Sequence, residues 1–202
     1  MIISLIGMSN SGKTYWSKKL EKEKNFKRFS CDDLIEEKLK KVLKGSTMSE
    51  WMGQPYEDRY KKNSAIYLSL EIKTMNEILS YIEDNSHKNE NIVVDTTGSV
   101  IYTDKKIMEM LKKHTKILYI DTPKKVKTEI MRLYFENPKP VFWGKSFNIQ
   151  NGETNEEALR RCYHLFLEFR CKEYKKHADA TINFYELRSP LFDAGMLLKK
   201  IK

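Results

Sequence analysis

The sequence predicts an α/β protein, a three-layer αβα sandwich built on a five-stranded parallel sheet. Three observations carry this reading. Strand and helix signals alternate along the 202-residue chain. Each strand signal is short and rich in apolar or β-branched residues, as strands covered on both faces are. The first of them runs directly into Gly7-Met8-Ser9-Asn10-Ser11-Gly12-Lys13-Thr14, and a helix signal follows at once.

The elements follow in order. Ile2–Ile6 reads as the first strand, and Tyr15-Trp16-Ser17-Lys18-Lys19-Leu20 as the helix after the glycine loop. Phe26–Ser30 is the second strand. The helix from Asp32 to about Lys44 places Leu34, Ile35, Leu39, Val42 and Leu43 at helical spacing. Gly45–Tyr56, with Trp51, Met52, Gly53 and Pro55, breaks the rhythm, and a long helical stretch runs from about Glu57 to Asn85. Asn91–Asp95 is the third strand, Thr103–His114 a helix and Lys116–Asp121 the fourth strand. Pro123–Phe135 is a helix whose proline sits in the favoured first turn. Thr154-Asn155-Glu156-Glu157 is a capping-box pattern opening the helix that carries Leu159, Cys162, Tyr163, Phe166 and Leu167. Thr181–Phe184 is the last strand. One domain, residues 1–202, accounts for the length. Within it, residues 45–85 form the expected acceptor-binding segment. Residues 137–152 form a long loop with two prolines, two glycines and the bulky Phe142, Trp143 and Phe147. Loops of that length in compact domains are often active-site lids; the alternative is a surface loop whose aromatics tuck onto the body.

Composition excludes several classes. Hydrophobic residues make up 40% and charged residues 32% of the chain, which is a globular balance and not a disordered one. No apolar run reaches the length of a membrane span, and the chain opens on a strand without a signal-peptide pattern, so a cytoplasmic protein with no membrane partner is expected. Three cysteines, Cys31, Cys162 and Cys171, lack metal or redox spacing and read as packing residues. The net charge of +9 suits polyanions such as ATP, a phosphorylated acceptor or RNA. Lysines such as Lys38, Lys40, Lys41 and Lys44 are nevertheless scattered as on solvated helix faces, and no compact basic–aromatic RNA motif is present. A monomer or weak homodimer is expected.

Residues 7–14 match G-x-x-x-x-G-K-[ST], the phosphate-binding P-loop, in its strand–loop–helix context. Backbone N–H groups of Gly7, Ser9, Asn10, Ser11 and Gly12 converge on phosphate oxygens, and the helix N-terminus adds a favourable dipole. Lys13 reaches the β/γ phosphates, the Thr14 hydroxyl ligates Mg²⁺, and Tyr15 follows in the nucleotide site. The expected cofactors are ATP and Mg²⁺. Asp95 ends a clean apolar strand, the local form of a carboxylate that holds Mg²⁺ through its water shell. Asp32 and Asp33 follow the second strand; one is expected to cap the helix and the other, taken as Asp32, to face the acceptor. Cations for the transferring phosphoryl group must come from the back half, and composition alone does not choose among its many basic residues.

These segments resemble the shikimate kinase branch of the nucleoside-monophosphate-kinase-like P-loop proteins over nearly the full length. After the P-loop, Phe29-Ser30-Cys31-Asp32-Asp33-Leu34-Ile35-Glu36 resembles that family's Asp-x-Asp-x-x-Ile-Glu segment. Leu167-Glu168-Phe169-Arg170-Cys171-Lys172-Glu173-Tyr174, running on to Ala178-Asp179-Ala180, resembles its Glu-Arg-x-x-x-Tyr-x-x-x-Ala-Asp stretch. The resemblance implies that Arg170 binds the acceptor. Lys139-Pro140-Val141 resembles the family's lid Arg-Pro-Leu, implying that Lys139 is the catalytic lid cation. Arg132 falls where the family stacks an arginine on adenine. Three departures stand beside these matches. Ser30 replaces the family's Mg²⁺-linked Asp, a role Asp95 is placed to take over. The triple glycine that packs against shikimate reads Thr97-Gly98-Ser99. The Phe-Arg before Glu71 reads Tyr67-Leu68, leaving Arg59 as a substitute contact.

The expected activity is an ATP-dependent kinase, an ATP:alcohol phosphotransferase acting on a hydroxyl of a small anionic metabolite other than shikimate. Lys13, Asp32 and Lys139 would be catalytic, Thr14 and Asp95 would hold the metal, and Asp32, Asp33, Arg59, Gly98 and Arg170 would contact the acceptor. Two alternatives remain open. One is a polynucleotide or nucleoside kinase acting on a nucleic-acid end, favoured by the Asp-Asp segment and the Asp95-Thr96 strand ending. The other is a nucleotide-responsive binding protein.

Overall fold

The computed structural model of the protein describes residues 1–136 and 141–201. Five strands, β1 (Ile2–Ile6), β2 (Lys27–Ser30), β3 (Ile92–Asp95), β4 (Lys116–Asp121) and β5 (Ala180–Asn183), form one sheet in the order β2-β3-β1-β4-β5. Every pairing is parallel. β1 is therefore central, with the chain crossing to one side for β2 and β3 and to the other for β4 and β5. The crevice at such a reversal, beyond the strand C-termini, is where α/β sheets bind ligands.

Period-2 alternation sorts the strand side chains between two helical layers. Ile3, Leu5, Val93, Leu118 and Ile120 face α1 (Lys13–Lys24) and the C-terminal helix α8 (Ala194–Ile201), packing with Trp16, Leu20 and Leu197. Ile6, Ile92, Val94, Ile117 and Tyr119 face the opposite layer. That layer contains α4 (Asp58–Glu83), α5 (Lys105–His114), α6 (Lys124–Glu136) and α7 (Asn155–His177). A third cluster, Ile35, Leu39, Leu43, Met52 and Tyr67, joins α2 (Cys31–Leu43) and α3 (Met48–Met52) to α4. The sandwich expected from the alternation is thus the one observed, with strand boundaries shifted by one residue at most. Among the described residues no helix is long and apolar enough to cross a membrane.

Two helices were not expected. Residues 45–56, read as a break, contain α3, whose start is fixed by a capping box: Thr47 Oγ1 accepts from Glu50 N–H at 3.2 Å and Glu50 accepts from Thr47 N–H at 2.7 Å. The Thr-x-x-Glu signal was present, but five residues are too few to show a 3.6-residue period. α8, which seals the edge of the α1 layer with Ala194, Leu197 and Ile201, also went unread.

The expected lid spans 137–152, and residues 137–140 lie outside the described ones. Its described part has no regular secondary structure and packs onto the body. Trp143 is 1% exposed and sits among Tyr134, Tyr163 and Phe166 of α6 and α7, with ring centroids 5.0–6.1 Å away. The Tyr60 hydroxyl of α4 donates to Val141 O at 3.0 Å and accepts from Trp143 N–H at 2.8 Å. Truncating Trp143 to Ala removes the centre of this aromatic cluster. The expected cost is about 3–5 kcal/mol, to be read as a lower urea midpoint at unchanged m-value.

Candidate active site

The P-loop joins the end of β1 to α1. Gly12 takes φ 111° at the N-cap of α1, a left-handed conformation that strains any L side chain, and no side chain caps the helix there. The first turn of a 12-residue helix thus presents N–H groups toward the loop, as anion binding requires. The Lys13 ammonium is buried and donates to the Gly7 and Met8 carbonyl oxygens at 2.9 and 3.0 Å. Burial lowers its pKa, and Asp95 and Asp32 act in the opposite direction. The lysine is therefore within the field of two of the carboxylates selected from the sequence.

Strand register positions the first of these. Asp95 is paired with Leu5 of β1 on one side and with Ser30 of β2 on the other. A carboxylate thus stands one strand over from the serine, at the same level of the sheet. Asp95 is 3% exposed, and its Oδ2 accepts from Ser17 Oγ at 3.0 Å and from Arg28 Nη2 at 3.3 Å. Ser17 Oγ also lies 3.1 Å from the carbonyl of Thr14, so one hydroxyl links the P-loop threonine to the strand carboxylate. The other oxygen, Oδ1, is buried and has no hydrogen-bond partner among the described residues. An orphaned carboxylate oxygen next to the P-loop fits the water-mediated hold on Mg²⁺ expected of this pair. Among the described residues there is no cluster of three His, Cys, Asp or Glu side chains that could bind a metal. Such a cluster is not needed, because P-loop Mg²⁺ is held largely by phosphates and water.

A cavity of about 590 Å³ opens in front of the loop. Ser9, Asn10, Lys13 and Thr14 form one wall; Asp32 and Glu36 of α2 and Arg170 of α7 form others. Ser30 Oγ, not either aspartate, caps α2, accepting from Asp33 N–H at 3.4 Å. This corrects the expected division of labour between the pair. Asp32 and Glu36, four residues apart on one helix face, both line the cavity. Asp33 points away, 70% exposed, with Arg28 3.5 Å from its carboxylate.

Arg170 is 4% exposed and sits between cation–π faces, 4.2 Å from the Phe166 ring centroid and 5.3 Å from that of Tyr102. Its Nη2 donates to the Phe142 carbonyl at 3.0 Å. Gly98 lets it come this close: a Cβ at that position would lie 2.8 Å from Arg170 Nη1. The Tyr174 hydroxyl, one turn further along α7, donates to Gly98 O at 2.5 Å. Gly98, Phe142 and Arg170 all line the cavity.

Behind this wall lies a carboxyl that the sequence left without a role. Glu71 of α4 is fully buried, and its two oxygens accept from the hydroxyls of Thr97 and of Ser99, the latter at 2.6 Å. Burial pushes its pKa up to about 7, against the stabilising effect of the Ser99 and Thr97 hydroxyls. Where the resembled family has glycines, this chain has two hydroxyl residues that satisfy a buried acid.

A second cavity, about 450 Å³, lies on the far side of Gly12, with Tyr15, Trp16, Arg188 and Pro190 in its wall. Arg188 also escaped the sequence reading. Its guanidinium lies 3.3 Å from the Phe184 ring centroid, and Nη1 donates to Ser11 O at 3.3 Å.

Three further expectations fare differently. Arg132 is exposed on α6, held by Glu129 and Glu136 of its own helix, and lines neither cavity. Arg59 is 55% exposed and paired with Glu57 at 2.6 Å, and it does not line the 590 Å³ cavity where the sequence reading placed it. Lys139 lies outside the described residues.

A parallel sheet of this order, with a phosphate loop after its central strand, defines the P-loop nucleotide-binding fold. Within that class the structure has the fold of the shikimate kinases. It matches shikimate kinase from Bacteroides thetaiotaomicron at TM-score 0.63 and 20% identity, over 98% of this chain and 95% of that one. The match to shikimate kinase from Aquifex aeolicus has TM-score 0.59 and 19% identity, over 100% and 94%. That to the Acinetobacter baumannii enzyme in complex with shikimate has TM-score 0.59 and 21% identity, over 98% and 87%. No protein-family model matches the chain, and neither does any curated protein.

Glu71 makes stability depend on pH. Its carboxyl holds a proton up to about pH 7 when folded, against an ordinary value of 4.5, so the native state binds the proton more tightly. The resulting stability is present below pH 4.5 and is lost as pH rises toward 7, by up to about 3 kcal/mol. Glu71→Gln should flatten this fall in urea denaturation series between pH 5 and pH 8. A slope equal to that of the parent would rule out Glu71 as its source.

Proposed function

We propose that the protein is an ATP-dependent kinase that phosphorylates a hydroxyl of a small metabolite. The observation that carries the reading is the convergence of Lys13, Thr14, Asp32 and Arg170 on one cavity at the sheet's switch point. Phosphoryl transfer asks of a protein mainly positioning and charge stabilisation, and these groups are of the types required.

In this reading the P-loop N–H groups and the α1 N-terminus cradle the β and γ phosphates. The base lies in the cavity beyond Gly12, against Tyr15 and Arg188. Lys13 leaves its two loop carbonyls to reach the β/γ oxygens. Asp32 orients the acceptor hydroxyl and takes its proton as the new O–P bond forms and the bond from the γ phosphorus to the β–γ bridging oxygen breaks, releasing ADP. Arg170 binds an anionic group of the acceptor, and Lys139 of the lid approaches the transferring phosphoryl group. Mg²⁺, held by Thr14 and by Asp95 through water, neutralises the phosphate charge when bound.

The acceptor differs from shikimate in this reading. With Arg59 outside the cavity, Arg170 is the one guanidinium among the described residues of its lining, and the wall in front of Glu71 presents Tyr67 and Ser99. A pocket with one arginine and several hydroxyl groups suits an acceptor with a single anionic group and more neutral hydrogen-bonding surface.

The test is ADP release from Mg-ATP with the small-molecule and nucleic-acid fractions of a cell extract supplied separately, and shikimate alongside. Stimulation by the small-molecule fraction is expected, with shikimate much weaker. Stimulation by the nucleic-acid fraction alone would replace the proposal with a kinase acting on nucleic-acid ends. Lys13→Ala should abolish turnover. Asp32→Ala should lower kcat at least about 100-fold while leaving ATP affinity within a few-fold. Full activity in Asp32→Ala would remove its assigned role.

A further inference from the structure

Arg28 of β2 was not singled out by the motifs, yet it is tied to three other elements beside the P-loop. Its Nε donates to Ser17 Oγ of α1 at 2.8 Å, Nη2 lies 3.3 Å from Asp95 Oδ2 of β3, and Nη1 lies 3.5 Å from Asp33 Oδ2 of α2. Its side chain is 10% exposed. Three elements thus fix the guanidinium against one oxygen of the carboxylate proposed to hold Mg²⁺, while the other oxygen, Oδ1, has no partner among the described residues.

The chemistry of such an arrangement follows from charge. A carboxylate buried without a counter-charge is costly, and Arg28 meets that cost within the folded chain. The same fixed charge then acts on any cation approaching Oδ1. Repulsion from a guanidinium on the opposite oxygen opposes a divalent ion, and burial screens it little. With serine at position 30 in place of a second carboxylate, nothing on the neighbouring strand offsets that repulsion.

We propose that Arg28 is a positioning residue that acts through Asp95, holding and partly neutralising the metal carboxylate so that a divalent cation is retained only jointly with nucleotide phosphates. The proposal rests on the reading of Asp95 as the metal carboxylate. Arg28 touches neither nucleotide nor acceptor in this scheme. Its role is to keep the cation's affinity low enough for metal and nucleotide to bind and leave together.

The probe is Mn²⁺, titrated into the full chain without nucleotide and followed by the electron paramagnetic resonance of the free ion. Arg28→Met should lower the Mn²⁺ dissociation constant about tenfold. Arg28→Lys, which keeps the charge, should stay near the parent. ADP affinity measured in EDTA, together with circular dichroism, checks that each variant is folded with its P-loop intact, and Arg28→Gln serves if the methionine variant is not. An unchanged or raised Mn²⁺ dissociation constant in the folded neutral variant overturns the proposal and leaves Arg28 as a structural tie. Asp95→Asn separates the two levels of the argument. Mn²⁺ affinity equal to the parent's in that variant removes Asp95 from the metal site and the proposal with it. Weakened Mn²⁺ binding in Asp95→Asn, with no tightening in the neutral Arg28 variant, overturns the proposal alone.

Discussion

The site depends on the parallel register at the centre of the sheet. Leu5 lies beside Asp95, and Asp95 beside Ser30, so the C-terminal ends of three strands finish at one level. From that level the chain leaves in three directions: into the P-loop, into α2 with Asp32 and Glu36, and into the 96–99 turn with Gly98. A slip of one residue in any strand would turn its side chains to the opposite face. It would bring Val94 to the level of Leu5 and move the carboxylate away from Ser17. The apolar alternation that fills both helical layers therefore also sets the chemistry, because burial on two faces leaves little freedom of register.

Around this edge the chain buries charged and titratable groups instead of avoiding them. Lys13, Asp95 and Arg170 are nearly inaccessible, Glu71 is wholly so, and each is met by a specific partner. The partners are of different kinds: loop carbonyls for Lys13, a guanidinium and a hydroxyl for Asp95, ring faces and a carbonyl for Arg170, two hydroxyls for Glu71. Groups held this way are preorganised, because each partner is already in place in the folded chain. The arrangement also restricts change. Removing one partner leaves a buried charge uncompensated, whereas replacing an exposed ion pair such as Arg132–Glu136 alters little.

Much of this was legible in the residues. The sheet, its parallel sense and the P-loop could be read because short apolar strands and a glycine-spaced motif are local signals. The position of Asp95 at the end of β3 could be read because it ends a clean apolar run. Arg28 and Glu71 could not. One is a basic residue at a strand start in a lysine-rich chain, the other an acid on a long amphipathic helix, and only the register of β2 on β3 and the packing of α4 under the 97–99 turn give them partners. Asp33 and Arg59 were misjudged for the same reason. The sequence divided Asp32 and Asp33 between acceptor and helix cap, but Ser30 supplies the cap, and consecutive helical residues point about 100° apart. Arg132 was assigned through resemblance, and on α6 its own neighbours Glu129 and Glu136 hold it.

The short helix α3 has a consequence of another kind. Its first turn is closed by Thr47 and Glu50 reciprocally, its end by Gly53 N–H on Ser49 O, and Asn63 of α4 secures the Trp51 carbonyl. Thr47, Met48 and Ser49 border the 590 Å³ cavity, so the residue that caps the helix and the methionine that packs on the α2–α4 cluster are also part of the cavity wall. The scaffold and the surface it displays are therefore specified in part by the same positions. In evolutionary terms this is a constraint and not a cassette: a substitution at 47 or 48 that reshapes the cavity also disturbs the helix's cap or its packing, whereas none of these ties uses the side chain of Ser49.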